Sequence, residues 1–260
     1  MAKTALVTGG AKRVGRALSM HLAAQGYAVA VHYRRSGEAA DEVVAAIRAA
    51  GGTARSFCAD LADAEAVDGL VGAVTSAMGA PALLVNNASV FEFDDIETLS
   101  RESWKLHLDT NLSAPLFLTQ AFATALPAGT GGNVINIIDQ RVWKLTPSFM
   151  SYTVSKAGLW TLTRTLAQAL APHIRVNAIG PGPTLQSTLQ TEEEFRRQQD
   201  CVPLRTGPSL DEICRAVSFL LETPSVTGQM IALDGGQHLA WETPDVIEGR
   251  NQRRQRRTDQ

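Results

Sequence analysis

Cysteine is scarce in this chain of 260 residues. The three thiols, Cys58, Cys201 and Cys214, are an odd number without metal-like spacing. They read as reduced thiols of a cytosolic protein rather than as a disulfide framework or a metal site. Long apolar runs are also missing, so no segment reaches the roughly 20 residues a membrane span needs. Charge of one sign is not in excess: the formal net charge is -2, which leaves no overall nucleic-acid or membrane signature. Strand-like residues begin almost at the N-terminus, so no signal peptide is expected. The expectations are a cytoplasmic location, no nucleic-acid partner, no membrane and no metal. What is present is ordinary for a folded domain, with 45% hydrophobic and 19% charged residues. The length allows one large α/β domain with a substantial core.

Short β-rich apolar runs alternate with longer helical patterns. Strands are expected at Thr4–Thr8, Ala28–Tyr33, Thr53–Cys58, Ala82–Asn86, Asn133–Ile138, Arg175–Ala178 and Gln229–Leu233. Helical spacing runs through Val14–Gln25, Ala39–Ala50, Ala64–Met78, Ser103–Leu126, Tyr152–Ala171 and Leu210–Leu221. This alternation predicts an α/β fold, a parallel sheet with helices on both faces. One domain is expected over residues 1–247. Within it, Pro181–Pro203 is polar and weakly periodic, and a mobile substrate lid at about residues 183–203 with a short helix around Glu192–Gln199 is expected. Residues 248–260 hold five arginines and two acids without interleaved aromatics. They read as a solvated basic tail, with an RNA- or membrane-binding arm as the alternative. Trp241 just before it could anchor a subunit contact.

Leu6-Val7-Thr8 closes the first strand, and Gly9-Gly10-Ala11-Lys12-Arg13-Val14-Gly15 turns into a helix. Glycines there let a backbone approach a pyrophosphate at a positive helix N-terminus. The bland alternative is a tight βα turn. The end of the second strand then selects the dinucleotide. Folds that take NAD place an acid about 20 residues beyond the glycine turn to hold the ribose 2′-hydroxyl. Here His32-Tyr33-Arg34-Arg35-Ser36 occupies that point, and no acid follows until Glu38. An acid would repel a 2′-phosphate, whereas arginine and serine bind one, so NADP(H) is the expected cofactor. The alternatives are a merely basic loop and, for His32, a packing residue.

Tyr152 and Lys156 are four residues apart, and Asp139 lies thirteen residues upstream of Tyr152. Positions i and i+4 share a helix face. A lysine cation there favours the phenolate and makes the tyrosine a better proton donor. Taken alone, the pair could be an ordinary surface pair. An ionised aspartate cannot donate to a substrate carbonyl. It can accept from amino and ring N–H groups, or pass a proton to a ring nitrogen.

Tyr-x-x-x-Lys placed after such a glycine turn resembles the short-chain dehydrogenase/reductase family, and the resemblance runs from about Thr4 to Gly236. Two departures narrow it. The family pattern Thr-Gly-x-x-x-Gly-x-Gly has Arg13 for its middle glycine, and the family's serine is Asp139. Both departures resemble the pteridine reductase branch, which includes dihydromonapterin reductase-like proteins. The resemblance implies a Rossmann-type doubly wound parallel sheet of about seven strands. It also implies cofactor contacts from Gly9, Lys12, Arg13, Val14 and Gly15, from Asp60 and Leu61 at the adenine, and from Asn87, Ala88 and Ser89 near the nicotinamide ribose. Lys156 would hold that ribose, and Pro181, Gly182 and Thr184 would fix the nicotinamide face. Asn111 would bend its helix and hold a proton-relay water. Arg13, Ser89, Phe91, Asp139 and Tyr152 would meet the substrate, with Phe91 stacked on a flat ring. Plain alternatives stay open: Asp60 as a helix cap in competition with Asp63, Phe91 as a core-packing loop residue, and Pro181–Thr184 as a turn.

The expected activity is hydride transfer from NADPH to a small-molecule substrate, a pteridine such as a dihydropterin or dihydrofolate. The expected assembly is a homotetramer joined through the long helices of the fourth and fifth crossovers. The alternatives are a carbonyl or 3-oxoacyl reductase of the same family, and an NADP-sensing binding protein.

Overall fold

The computed structural model describes residues 2–187 and 190–241, so the basic tail lies outside the described residues. Seven strands form one parallel sheet: β1 (Thr4–Val7), β2 (Ala28–Tyr33), β3 (Ala54–Cys58), β4 (Pro81–Asn86), β5 (Gly132–Ile137), β6 (Ile174–Pro181) and β7 (Met230–Leu233). Their order is β3-β2-β1-β4-β5-β6-β7. Successive side chains of a strand point to opposite faces, and both faces here are covered. Ala5, Val7, Val29, Val31, Leu83 and Val85 pack beneath α1 (Arg13–Ala24), α2 (Gly37–Ala49) and α8 (Leu210–Glu222). Leu6, Ala30, Leu84, Val134 and Val176 meet α3 (Ala64–Met78), α5 (Ala114–Ala125) and α6 (Met150–Leu170) on the other side. Strands covered in this way read as continuous apolar runs, as β1 does with all four residues buried.

The expected strand at Thr4–Thr8 ends one residue early, because Thr8 already belongs to the turn. The strand expected at Arg175–Ala178 runs on to Pro181. The helix expected over Ser103–Leu126 is two helices, α4 (Arg101–Leu108) and α5, joined by a π-helical turn at Asp109–Ser113. The short helix near Glu192 is α7 (Glu192–Asp200). Thr191 and Glu194 cap it reciprocally, so two of its free N–H groups are satisfied locally.

Strand order reverses between β1 and β4. That leaves a crevice at their carboxyl ends, where α/β folds of this type bind ligands. Many of the sequence candidates line that crevice or its continuation past β5 and β6.

Candidate active site

The turns after β1 and β4 are tied to each other. Thr8 Oγ1 accepts from the backbone N–H of Asn87 and of Ala88, at 2.9 and 3.0 Å. Asn87 Nδ2 donates to the carbonyls of Thr8 and Gly9. The Gly9 N–H donates to His32 Nδ1 at 3.0 Å, and His32 Nε2 donates to the Ala59 carbonyl at 3.1 Å. His32 therefore spends both ring nitrogens holding the turn. It is buried, and burial pushes its pKa down to about 4. It is a neutral structural strut, the packing role the sequence left open. Gly15 is required by contact: a Cβ there would lie 2.0 Å from the Gly9 carbonyl oxygen. Helix α1 has no side-chain cap and no acid in its first turn. Its positive end is thus left for an anion from outside the chain.

Arg13 sits at φ 52°, in the left-handed region that favours the glycine of the family pattern. Its guanidinium donates to the carbonyls of Gln186 at 2.9 Å and Leu185 at 3.2 Å, across the cleft. A cavity of about 450 Å³ opens beside the glycine turn. Gly9, Lys12, Arg13, Val14, Gly15, His32, Arg34, Asp60, Leu61, Asn87, Ala88, Ser89, Tyr152 and Lys156 all line it. Tyr33, Arg35, Ser36 and Pro181 are outside that lining. Ser36 starts α2, and Tyr33 packs its ring beside Gly37. Asp60 accepts from the Ala62 N–H and lies 3.8 Å from Arg34, while Asp63 caps α3. Asp63 therefore takes the capping role that the sequence left between the two acids.

Tyr152, Lys156 and Asp139 converge at the end of β5. Tyr152 Oη donates to Asp139 Oδ2 at 2.9 Å, and Lys156 Nζ donates to the Ile137 carbonyl at 2.9 Å. Asp139 Oδ1 accepts from the Arg141 N–H at 2.8 Å. Burial dominates the electrostatics. It raises the Asp139 carboxyl, against hydrogen bonds and cations that lower it. It lowers Lys156 to about 8, against the pull of Asp139. Tyr152 is raised well above its ordinary value, first by burial and then by the adjacent Asp139. Lys156 stands 5.7 Å from the ring centre of Tyr152. The result is a phenol and a carboxyl, both drawn toward their protonated forms, sharing one hydrogen bond.

Asn111 lies in the π-helical turn, an irregularity in keeping with a helix bent at that residue. Its Oδ1 accepts from the Val90 N–H at 2.8 Å. Its Nδ2 donates to the Val90 carbonyl and to Ser155 Oγ. The amide thus pins the loop after β4 to the face of α6.

A second cavity, of about 800 Å³, continues past Asp139 and Tyr152. Arg13, Ser89, Phe91, Gly182 and Thr184 line it with them. Phe91 is 38% exposed, so it is a wall of the cavity rather than a core residue. It stacks on Phe149 at 4.5 Å between centroids and 7° between planes. Arg141 covers the Phe149 ring at 5.1 Å, and Tyr152 meets Phe91 edge-on at 4.7 Å. Phe149, Arg141, Gln140, Phe93 and Phe195 also line this cavity and escaped the sequence reading. No helical period marks Phe149, which stands just before α6 in the left-handed region at φ 59°.

The fold and this arrangement define an oxidoreductase. The chain belongs to the short chain dehydrogenase family, whose model matches residues 3–198. It is 36% identical over 242 residues to an uncharacterised oxidoreductase of Methylorubrum extorquens, across 90% of this chain and 97% of the relative. It is 32% identical over 242 residues to a 3-oxoacyl-[acyl-carrier-protein] reductase of Synechocystis, across 90% and 96%. Among solved structures, FolM alternative dihydrofolate reductase 1 from Brucella canis, complexed with NADP, is similar at a TM-score of 0.91 and 50% identity. The match covers 94% of this chain and 97% of that one.

Proposed function

We propose that this chain is an NADPH-dependent reductase of a pteridine ring. The observation that carries the reading is the Tyr152–Asp139 hydrogen bond at the mouth of a large aromatic-walled cavity. A carboxyl with a raised pKa can hold a proton and pass it to a ring nitrogen. A flat, nitrogen-rich ring offers such atoms, and an aliphatic ketone does not.

The residues present fit the cofactor. Gly9, Lys12, Gly15 and the uncapped start of α1 would hold the diphosphate, with Arg13 turning to it from the Leu185 and Gln186 carbonyls. Arg34, Arg35 and Ser36 would meet the 2′-phosphate, and Asp60 with Leu61 the adenine. Asn87, Ala88 and Lys156 would hold the ribose. Pro181, Gly182 and Thr184 would hold the carboxamide. When bound, the cofactor supplies the hydride. Tyr152 gives up its proton at Oη, Asp139 relays one to Tyr152 or to the ring, and Phe91 stacks one face of the substrate. Ser89 and Arg13 complete the rim. Asn111 keeps the Val90 backbone in register with α6.

The NADP-bound relative at 50% identity supports this reading by its name. The 3-oxoacyl reductases among the relatives support a second one, reduction of a carbonyl on a thioester. An NADPH oxidation assay separates them. Dihydropterin or dihydrofolate is expected to be reduced and acetoacetyl thioester left inert; the opposite result would overturn the assignment. We also place the enzyme in the cytoplasm as a homotetramer. Phe117 on α5 is exposed at a hollow shared with Leu166 and Leu170 of α6, and sedimentation of a single monomeric species would refute the assembly.

A further inference from the structure

Helix α6 carries Tyr152 and Lys156 but has no cap of its own. Phe149, its N-cap residue, is left-handed at φ 59° and offers no polar side chain. The cap comes from Asp94, 57 residues earlier in sequence, on the loop after β4. Asp94 Oδ1 accepts from the Ser151 N–H at 3.3 Å, and Asp94 Oδ2 accepts from Ser151 Oγ. The Phe149 N–H donates to the Asp94 carbonyl at 2.6 Å. Behind Ser151 stands His107 of α4, with Nδ1 2.8 Å from Ser151 Oγ. His107 Nε2 accepts from the Glu92 N–H at 3.2 Å, so the ring proton sits on Nδ1, which faces both the Ser103 carbonyl at 2.9 Å and Ser151 Oγ.

A serine, a histidine and an aspartate in a chain have the composition of a hydrolytic triad. Here all three are buried, and the histidine's far nitrogen is occupied by backbone. No substrate reaches the serine, so the set is a brace. It joins the two walls of the larger cavity, since the loop bearing Asp94 also bears Phe91 and the helix bearing Ser151 also bears Tyr152. A carboxylate at the start of a helix also complements the helix dipole.

We propose that Asp94 is a positioning residue: it caps the catalytic helix from another segment and so sets the substrate loop against Tyr152. The location rests on geometry alone; its effect on turnover rests on the reductase reading above. The test compares Asp94→Ala, Asp94→Asn, Ser151→Ala and the double variant Asp94→Ala/Ser151→Ala in the full chain. Amide hydrogen exchange is followed at residues 150–153 and 89–93. Exchange should quicken in both segments together by about 2- to 30-fold in Asp94→Ala, the equivalent of a lost helix cap. Turnover per substrate affinity, kcat/KM, should fall on the order of 10- to 100-fold with NADPH affinity nearly unchanged, as expected for misplacement by a fraction of an ångström. Asp94→Asn keeps an acceptor for the Ser151 N–H but sets an NH2 group against Ser151 Oγ, so it should recover only part of the loss. The double variant should be no worse than Asp94→Ala, since both remove one unit. Quickening in only one segment, or additive losses, would overturn the proposal. If Asp94→Ala does not fold, Asp94→Asn and Ser151→Ala carry the same comparison. The exchange readout needs no substrate, so a wrong substrate assignment leaves it standing.

Discussion

Around the glycine turn, Thr8, His32 and Asn87 are each bonded to a neighbouring stretch of backbone. Past β5, the carboxamide oxygen of Gln140 and Nε of Arg141 are buried without a hydrogen-bond partner. A buried polar group left unpaired costs about 1–3 kcal/mol. The turns of the first region are tied to one another, although Thr110 Oγ1 in its cavity wall and the start of α1 stay unpaired; the second leaves its unpaired groups beside an aromatic column of Arg141, Phe149 and Phe91.

The largest effect that would sharpen this contrast is at the boundary. Tyr152→Phe should lower kcat by roughly 10²–10⁴ if the phenol is the proton donor, with NADPH affinity measured by fluorescence titration little changed. Retention of most activity would move the proton to Asp139. Next comes pH. His32 is depressed to about 4, so between its ordinary value and that point the unfolded chain takes up a proton the folded one does not. Stability should therefore fall as pH drops from 6.5 to about 4, by about 3 kcal/mol. Asp139 is shifted the other way, so its own contribution grows as pH falls. Denaturation of wild type and His32→Gln across that window isolates the histidine; equal slopes would break the comparison.

Replacing Arg34 and Arg35 by alanine should reduce the preference for NADPH over NADH by about 1.5–3 kcal/mol per lost charge-assisted bond, or on the order of 10- to 150-fold. An unchanged kcat/KM ratio for the two cofactors would place the 2′-phosphate elsewhere. The smallest effect belongs to the open end. Phe91→Ala should weaken a flat ligand by about 0.5–1.5 kcal/mol beyond its lost buried area, read as a raised dissociation constant by calorimetry. A much larger loss would mean that Phe91 also holds Phe149 and Tyr152 in place.

The sheet was legible because local rules make it. Leu6 and Val7 are apolar on both faces of a covered strand, and the glycine turn after them must bend. Tyr152 and Lys156 were legible from helical spacing. What escaped came from long-range pairing, which leaves no period in the chain. His32 meets Gly9 across 23 residues, Arg13 meets Gln186 across 173, and Asp94 meets Ser151 across 57. Burial, the first cause of the raised Tyr152 pKa, is likewise a property of the whole fold that no local spacing carries.

The turn at Asp109–Ser113 bears on how the chain tolerates changes in length. A π-helical turn holds one residue more than the α-helix it interrupts, and each residue advances a helix by about 100°. Upstream of the turn, His107 faces the brace; downstream, Leu118 and Phe122 face the sheet. The additional residue is a phase correction between those two directions. Leu112, within it, fills the space that Gly158 of α6 leaves open, since a Cβ on Gly158 would come within 2.9 Å of the leucine. Deleting any one residue here would regularise the helix and rotate α5 away from its core. At this point the spacing of the chain matters as well as the identity of Asn111 and Leu112.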